Sequence, residues 1–94
     1  MNDLTANQWT IDELKQAHKF SIRNFEAVKN SNKAGCFYCC NIFDANEVTE
    51  WITENDGQQT ALCPECQCHI DAVIGDASHP ITVEFLTAMN EYYF

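Results

Sequence analysis

The apolar positions fall into stretches of different period. From Ile11 to Phe25 one face carries Ile11, Leu14, His18, Ile22 and Phe25, spaced three and four apart as on a helix. Thr10 precedes the stripe and Glu13 stands three residues later, the form of a capping box. The spacing predicts a helix from Thr10 to Asn30, ended by Asn30-Ser31-Asn32-Lys33. Lys15, Lys19 and Arg23 lie beside the apolar face, and Phe20 points off it. From Glu47 to Glu54 the pattern alternates through Val48, Trp51 and Ile52. Asn55-Asp56-Gly57 then supplies turn chemistry, and Gln58 to Leu62 returns, so this segment reads as a β-hairpin. Asp44-Ala45-Asn46-Glu47 also has capping-box shape and fits a short helical turn. Past Leu62, Pro64 and Glu65 are helix-start signals; Ile70, Val73 and Ile74 make an apolar stripe, and Gly75 suits a C-cap. A helix is expected there. After a loop from Asp76, Pro80-Ile81-Thr82 opens a last helix with Phe85, Leu86, Met89, Tyr92 and Tyr93 on one face.

Ninety-four residues make one domain, with an N-terminal helix in 1–33, a metal module in 34–75 and a C-terminal helix in 76–94. Met1 to Thr10 hold neither a basic nor an apolar run, and no stretch nears the ~18 apolar residues that span a bilayer. A cytoplasmic protein without membrane contact is expected. Six cysteines change the picture. They stand in two clusters, Cys36-Phe37-Tyr38-Cys39-Cys40 and Cys63-Pro64-Glu65-Cys66-Gln67-Cys68. This is metal-site spacing for a reducing compartment rather than a disulfide framework.

The pattern is C-x2-C, 23 residues, C-x2-C. Two residues between cysteines let both sulfurs of a tight turn face one centre, and four thiolates at ~2.3 Å suit Zn²⁺. Cys36, Cys39, Cys63 and Cys66 are the expected ligands of one Zn²⁺ per chain; buried thiols and redox-active pairs are the competing readings. Cys40 directly follows Cys39 and should point elsewhere. On a helix Cys68 would lie about 200° from Cys66, whereas His69 would share its side as a substitute ligand or a donor to a thiolate. His18 is most simply a boundary residue donating to a backbone carbonyl, and nothing distinguishes His79.

Charge narrows the partners. All five basic residues precede residue 34, giving 1–33 a net of +1 against four acids, while 34–94 carries ten acids and no Lys or Arg, a net of −10. Four thiolates around one Zn²⁺ add −2. Such a surface repels phosphate and cannot gain counterion-release energy, which excludes nucleic acid as partner.

A cysteine turn, a hairpin and a helix bearing Thr60-Ala61-Leu62-Cys63-Pro64-Glu65-Cys66 together resemble a treble-clef zinc finger over about residues 34–75. The wider string (Cys36-Phe37-Tyr38-Cys39, Ile42-Phe43, Glu50-Trp51-Ile52, Ile70-Asp71-Ala72-Val73-Ile74-Gly75, Pro80-Ile81-Thr82) looks like a group of small bacterial cytoplasmic proteins of unknown function. In that group the second pair runs almost directly into the Ile-Asp segment; here Gln67-Cys68-His69 intervenes. The resemblance implies an α+β fold, a zinc-stabilised treble-clef-like core flanked by an N-terminal amphipathic helix and a C-terminal helix. It implies a location and a metal, and no activity. Treble-clef nucleases carry a general-base histidine on the hairpin. Trp51 of Glu50-Trp51-Ile52 has no proton-accepting nitrogen, so no enzyme is expected.

The function expected is therefore an acidic protein-interaction module. Glu47, Glu50, Glu54, Asp56, Glu65, Asp71 and Asp76 would carry it, with Trp51 and Tyr38 as aromatic anchors; Trp51 packing in the core is the simpler alternative. A nucleic-acid mimic that occupies a basic groove, in the manner of acidic phage inhibitors, is a second reading. A thiol redox switch at Cys40 and Cys68 is a third. Lys15, Lys19 and Arg23 could also dock on the acidic module itself. Tyr92-Tyr93-Phe94 either closes the core or forms a dimer contact.

Overall fold

The computed structural model describes residues 9–66 and 70–94. Helix α1, Ile11–His18, starts at the expected capping box: Thr10 Oγ1 accepts from the Glu13 amide, and Glu13 accepts from the Thr10 amide. The expected run to Asn30 is not continuous. A 3-10 turn over Lys19–Ser21 follows, Ile22 is extended, Arg23 takes φ +52°, and helix α2 is only Phe25–Lys29. Asn24 explains the break. It is 4 % exposed. Its amide donates to the carbonyls of Phe20 (2.9 Å) and Val73 (2.8 Å), and its oxygen accepts from the Ala61 amide (2.9 Å). An unbroken helix would carry Asn24 past partners 37 and 49 residues away. These buried bonds outweigh the helical bonds lost at an exposed turn.

Strand β1, Lys33–Cys36, is the centre of a three-stranded sheet. Strand β2, Asn41–Asp44, and strand β5, Val73–Gly75, pair antiparallel on either side. The Asp44–Glu47 box caps a short 3-10 turn at Ala45–Glu47, as its spacing indicated. Strands β3, Trp51–Thr53, and β4, Gln59–Ala61, form the expected hairpin, and Gly57 at its tip takes φ +89°. Helix α3, Val83–Tyr93, is N-capped by Thr82, whose hydroxyl accepts from the Phe85 amide at 3.0 Å.

The helix expected from Pro64 through Gly75 is corrected. Pro64–Cys66 is a turn, and Val73-Ile74-Gly75 is strand β5, with Gly75 paired to Ala34 rather than capping a helix. All three residues of β5 are buried. A short apolar run buried on both faces suits a strand as well as a helix, and the open edge of β1 decides between them.

Phe37, Ile74, Phe85, Leu86 and Met89 form the heart of the core, each essentially inaccessible. Each contributes about 1.5–3 kcal/mol by burial. Phe85, Leu86 and Met89 share the face of α3 predicted for them, but Tyr92 is 41 % exposed and leaves it. Gly35 is required by proximity: a Cβ there would sit 2.8 Å from Leu86 Cδ1 and 2.9 Å from Ile81 Cγ2. Trp51 is half-buried against Phe25, ring centres 4.8 Å apart.

Candidate metal centre

Two short turns present the paired cysteines. The first joins β1 to β2. Its closing bond runs from the Cys40 amide to the Cys36 carbonyl (2.7 Å). The Cys36 sulfur accepts the backbone N–H groups of Tyr38 and Cys39. The second turn leaves β4, and there the Cys63 sulfur accepts from the amides of Glu65 (3.3 Å) and Cys66 (3.4 Å). In each turn the first sulfur thus receives the amides two and three residues on. Cys39 Sγ also accepts from the Asn41 amide and from Asn41 Nδ2 at 3.4 Å. Donors aimed at sulfur favour thiolate and orient it, as ligands of a metal require.

The hairpin brings the turns together, so that the sulfurs of Cys36, Cys39, Cys63 and Cys66 all lie within 4.8 Å of one another. The contacts across the turns are Cys39–Cys63, 3.7 Å, and Cys36–Cys66, 3.9 Å. A tetrahedron with bonds of ~2.3 Å has edges of about 3.8 Å, whereas a disulfide needs ~2.05 Å. The donor set therefore fits a metal ion and does not fit a bonded sulfur pair. Cys36 and Cys63 are buried, and Cys39 and Cys66 are half-buried. Burial pushes the Cys36 thiol far above its ordinary range, with the Tyr38 and Cys39 amides opposing only in part. At Cys39 burial also pushes upward, but the Asn41 amide and the neighbouring thiols outweigh it, and the pKa falls. A divalent cation at the centre would supply what the buried sulfur lacks.

Cys40 stands apart from the four, as its position after Cys39 implied. It serves the turn through its backbone, at φ +61°, while its thiol is hydrogen-bonded to the Thr87 side chain. A side chain in that conformation costs about 1 kcal/mol relative to glycine. Cys40→Gly is expected to keep full metal content and an undiminished melting temperature, since relief of strain offsets the lost thiol contact. Loss of metal in that variant, read by elemental analysis, would refute the purely structural role. The expectations for Cys68 and His69 lie outside the described residues.

His18 is half-buried and stacks on Tyr93 with ring centres 4.2 Å apart; no carbonyl takes its proton among the described residues. His79 stacks on Phe85 at 3.9 Å. Three residues around the turns carried no sequence signal: Asn41, Thr87 and Asn90, which donates to backbone carbonyls of the first turn.

The acids expected to carry binding divide into two groups. Asp56 pairs with Arg23 at 2.9 Å. Asp76 accepts the amides of Asn32 and Lys33, Glu54 accepts from the Thr60 hydroxyl, and Glu47 accepts from the Asp44 amide. Glu50, Glu65 and Asp71 are exposed. Among the described residues, Arg23 alone of the basic stripe pairs with an acid; the ion pairs there are Arg23–Asp56 and Lys33–Asp44, both at the surface.

No described helix is long and apolar enough to cross a membrane. Compared with known proteins, the chain matches no family model, no curated protein and no solved structure.

Proposed function

We propose that this chain is a cytoplasmic, non-enzymatic protein-interaction module whose fold is held by one Zn²⁺ on Cys36, Cys39, Cys63 and Cys66. The observation that carries the reading is the convergence of four sulfurs, all within 4.8 Å of one another, from two turns with matching N–H···S bonds. A four-sulfur tetrahedron suits zinc, and no open position is left for a substrate. A cysteine turn, a hairpin and the second cysteine pair follow in the order read from the sequence, and among the described residues the next element is β5 rather than a helix.

Charge supports a protein partner. The −10 segment 34–94 presents Glu50, Glu65 and Asp71 outward, and a shallow hollow of about 500 Å³ beside Glu50 is lined by Thr49, Trp51, Gln59 and Leu62. A basic protein surface is the matching chemistry.

Elemental analysis of purified protein tests the metal, with one zinc per chain expected; iron there would overturn the identity of the metal but not the site. The zinc-loaded chain as bait tests the partner. A protein retained at low salt should be released at about 0.5 M salt, where screening falls to a few ångströms, and by the combined exchange of Glu50→Gln, Glu65→Gln and Asp71→Asn. Retention indifferent to both would sink the acidic-module reading.

A further inference from the structure

Asn90 lies on α3, fifty residues beyond the first cysteine turn, yet its side-chain amide donates to the carbonyl oxygens of both Phe37 and Tyr38 at 3.0 Å. A peptide group points its C=O and its N–H in opposite directions. The Phe37 carbonyl shares a peptide group with the Tyr38 amide, and the Tyr38 carbonyl shares one with the Cys39 amide. Those two amides are the ones that face the Cys36 sulfur. The two peptide groups are thus held at both ends, by Asn90 on the oxygen side and by sulfur on the N–H side. Donation to a carbonyl also polarises its peptide group, which strengthens the bond made at the other end.

The rest of α3 seats Asn90. Leu86 packs against Gly35, the Thr87 side chain meets Cys40, Tyr93 and Phe94 lie against Phe37, and Phe94 also meets Tyr38 edge-on with ring centres 5.0 Å apart. Positions 86, 87, 90, 93 and 94 are one helical face, and that face is turned to the residues between and beside the first cysteine pair. Tyr93 and Phe94 therefore close over the metal turn.

We propose that Asn90 is a positioning residue for the metal centre: it fixes the peptide groups that direct N–H bonds to Cys36, so the geometry of the site depends on α3 being docked. The proposal rests on the zinc reading above and adds a residue that cysteine spacing does not reveal. Loss of such an orienting partner weakens metal binding by about 10–100-fold.

The full-length chain is tested by zinc competition against a chelating indicator and by Co²⁺ substitution, whose thiolate charge-transfer and ligand-field bands report ligand geometry. Asn90→Ala and Asn90→Asp are expected to weaken zinc binding about tenfold or more and to shift the Co²⁺ bands. Asn90→Asp keeps size and shape while removing the donor, and it decides the matter if Asn90→Ala does not fold. Ala88→Gly is the control: it loosens α3 away from the turn and should lower the melting temperature with the Co²⁺ bands unmoved. Native-like zinc affinity in the Asn90 variants, or weaker affinity with unmoved bands as in Ala88→Gly, overturns the proposal and leaves the zinc site standing. A native chain that takes up no zinc removes the four-sulfur reading itself, and this proposal with it.

Discussion

Cys63→Ser is expected to abolish both metal uptake and cooperative unfolding. Cys63 is 1 % exposed, its sulfur already accepts two amides, and it stands 3.7 Å from Cys39. Serine in its place leaves three sulfurs and a poor ligand. Structural zinc contributes an apparent ~10–16 kcal/mol in small domains, while a domain of this length has about 5–15 kcal/mol in all. The metal-free chain should therefore lack a folded state, and chelation of the native protein should reproduce the variant. Circular dichroism through a urea titration, with zinc and with chelator, reads both. A native-like transition of Cys63→Ser in chelator would show that the fold stands without metal. The pH dependence has a fixed sign. The zinc-bound protein holds no protons on its four sulfurs, whereas unfolded thiols are protonated below about pH 8.5. The unfolded state binds more protons, so stability rises with pH. Acidification from about pH 8 to about pH 6 should lower the urea midpoint of the zinc form, because protons compete for the thiolates. A midpoint that rises on acidification would contradict zinc linkage.

The second large effect is at Asn24. Asn24→Ala removes three hydrogen bonds and strands the Val73 carbonyl and the Ala61 amide, both on residues with no exposure. Each net bond is worth about 1 kcal/mol and each stranded buried group costs about 1–3 kcal/mol, so a loss of about 3–5 kcal/mol is expected in zinc-saturated protein. Asn24→Asp should do no better. It keeps the acceptor for Ala61 but turns a carboxylate oxygen toward two carbonyls. Urea midpoints at saturating zinc measure this, and a loss under about 1 kcal/mol would mean that the bonds are replaced by water.

Local chemistry made much of this protein legible. The cysteine pairs, the Thr10–Glu13 and Asp44–Glu47 boxes and the Asn55-Asp56-Gly57 turn all act within a few residues, and each appears where its spacing placed it. The two misread segments were settled at a distance. Phe25 opens α2 after the break while Ile22 lies extended within it, and the cause of the break, Asn24, answers to Ala61 and Val73. Val73-Ile74-Gly75 becomes a strand because β1 offers it an edge, a fact of the assembled sheet. Cys40 shows a related limit. The turn needs a left-handed residue after its second cysteine, and this chain puts cysteine where glycine is easiest, so a backbone role was masked by a reactive side chain.

The sulfur contacts across the turns also bear on the order of assembly. Pairing Cys36 with Val73 directly must close a loop of 37 residues. Once a metal joins Cys36 to Cys66, only the seven residues from Cys66 to Val73 remain to be closed. Loop-closure entropy grows with the logarithm of length, so this shortening lowers the cost of adding β5 by about 1.5 kcal/mol. Metal capture would thus turn the most distant pairing among the described strands into a nearly local one.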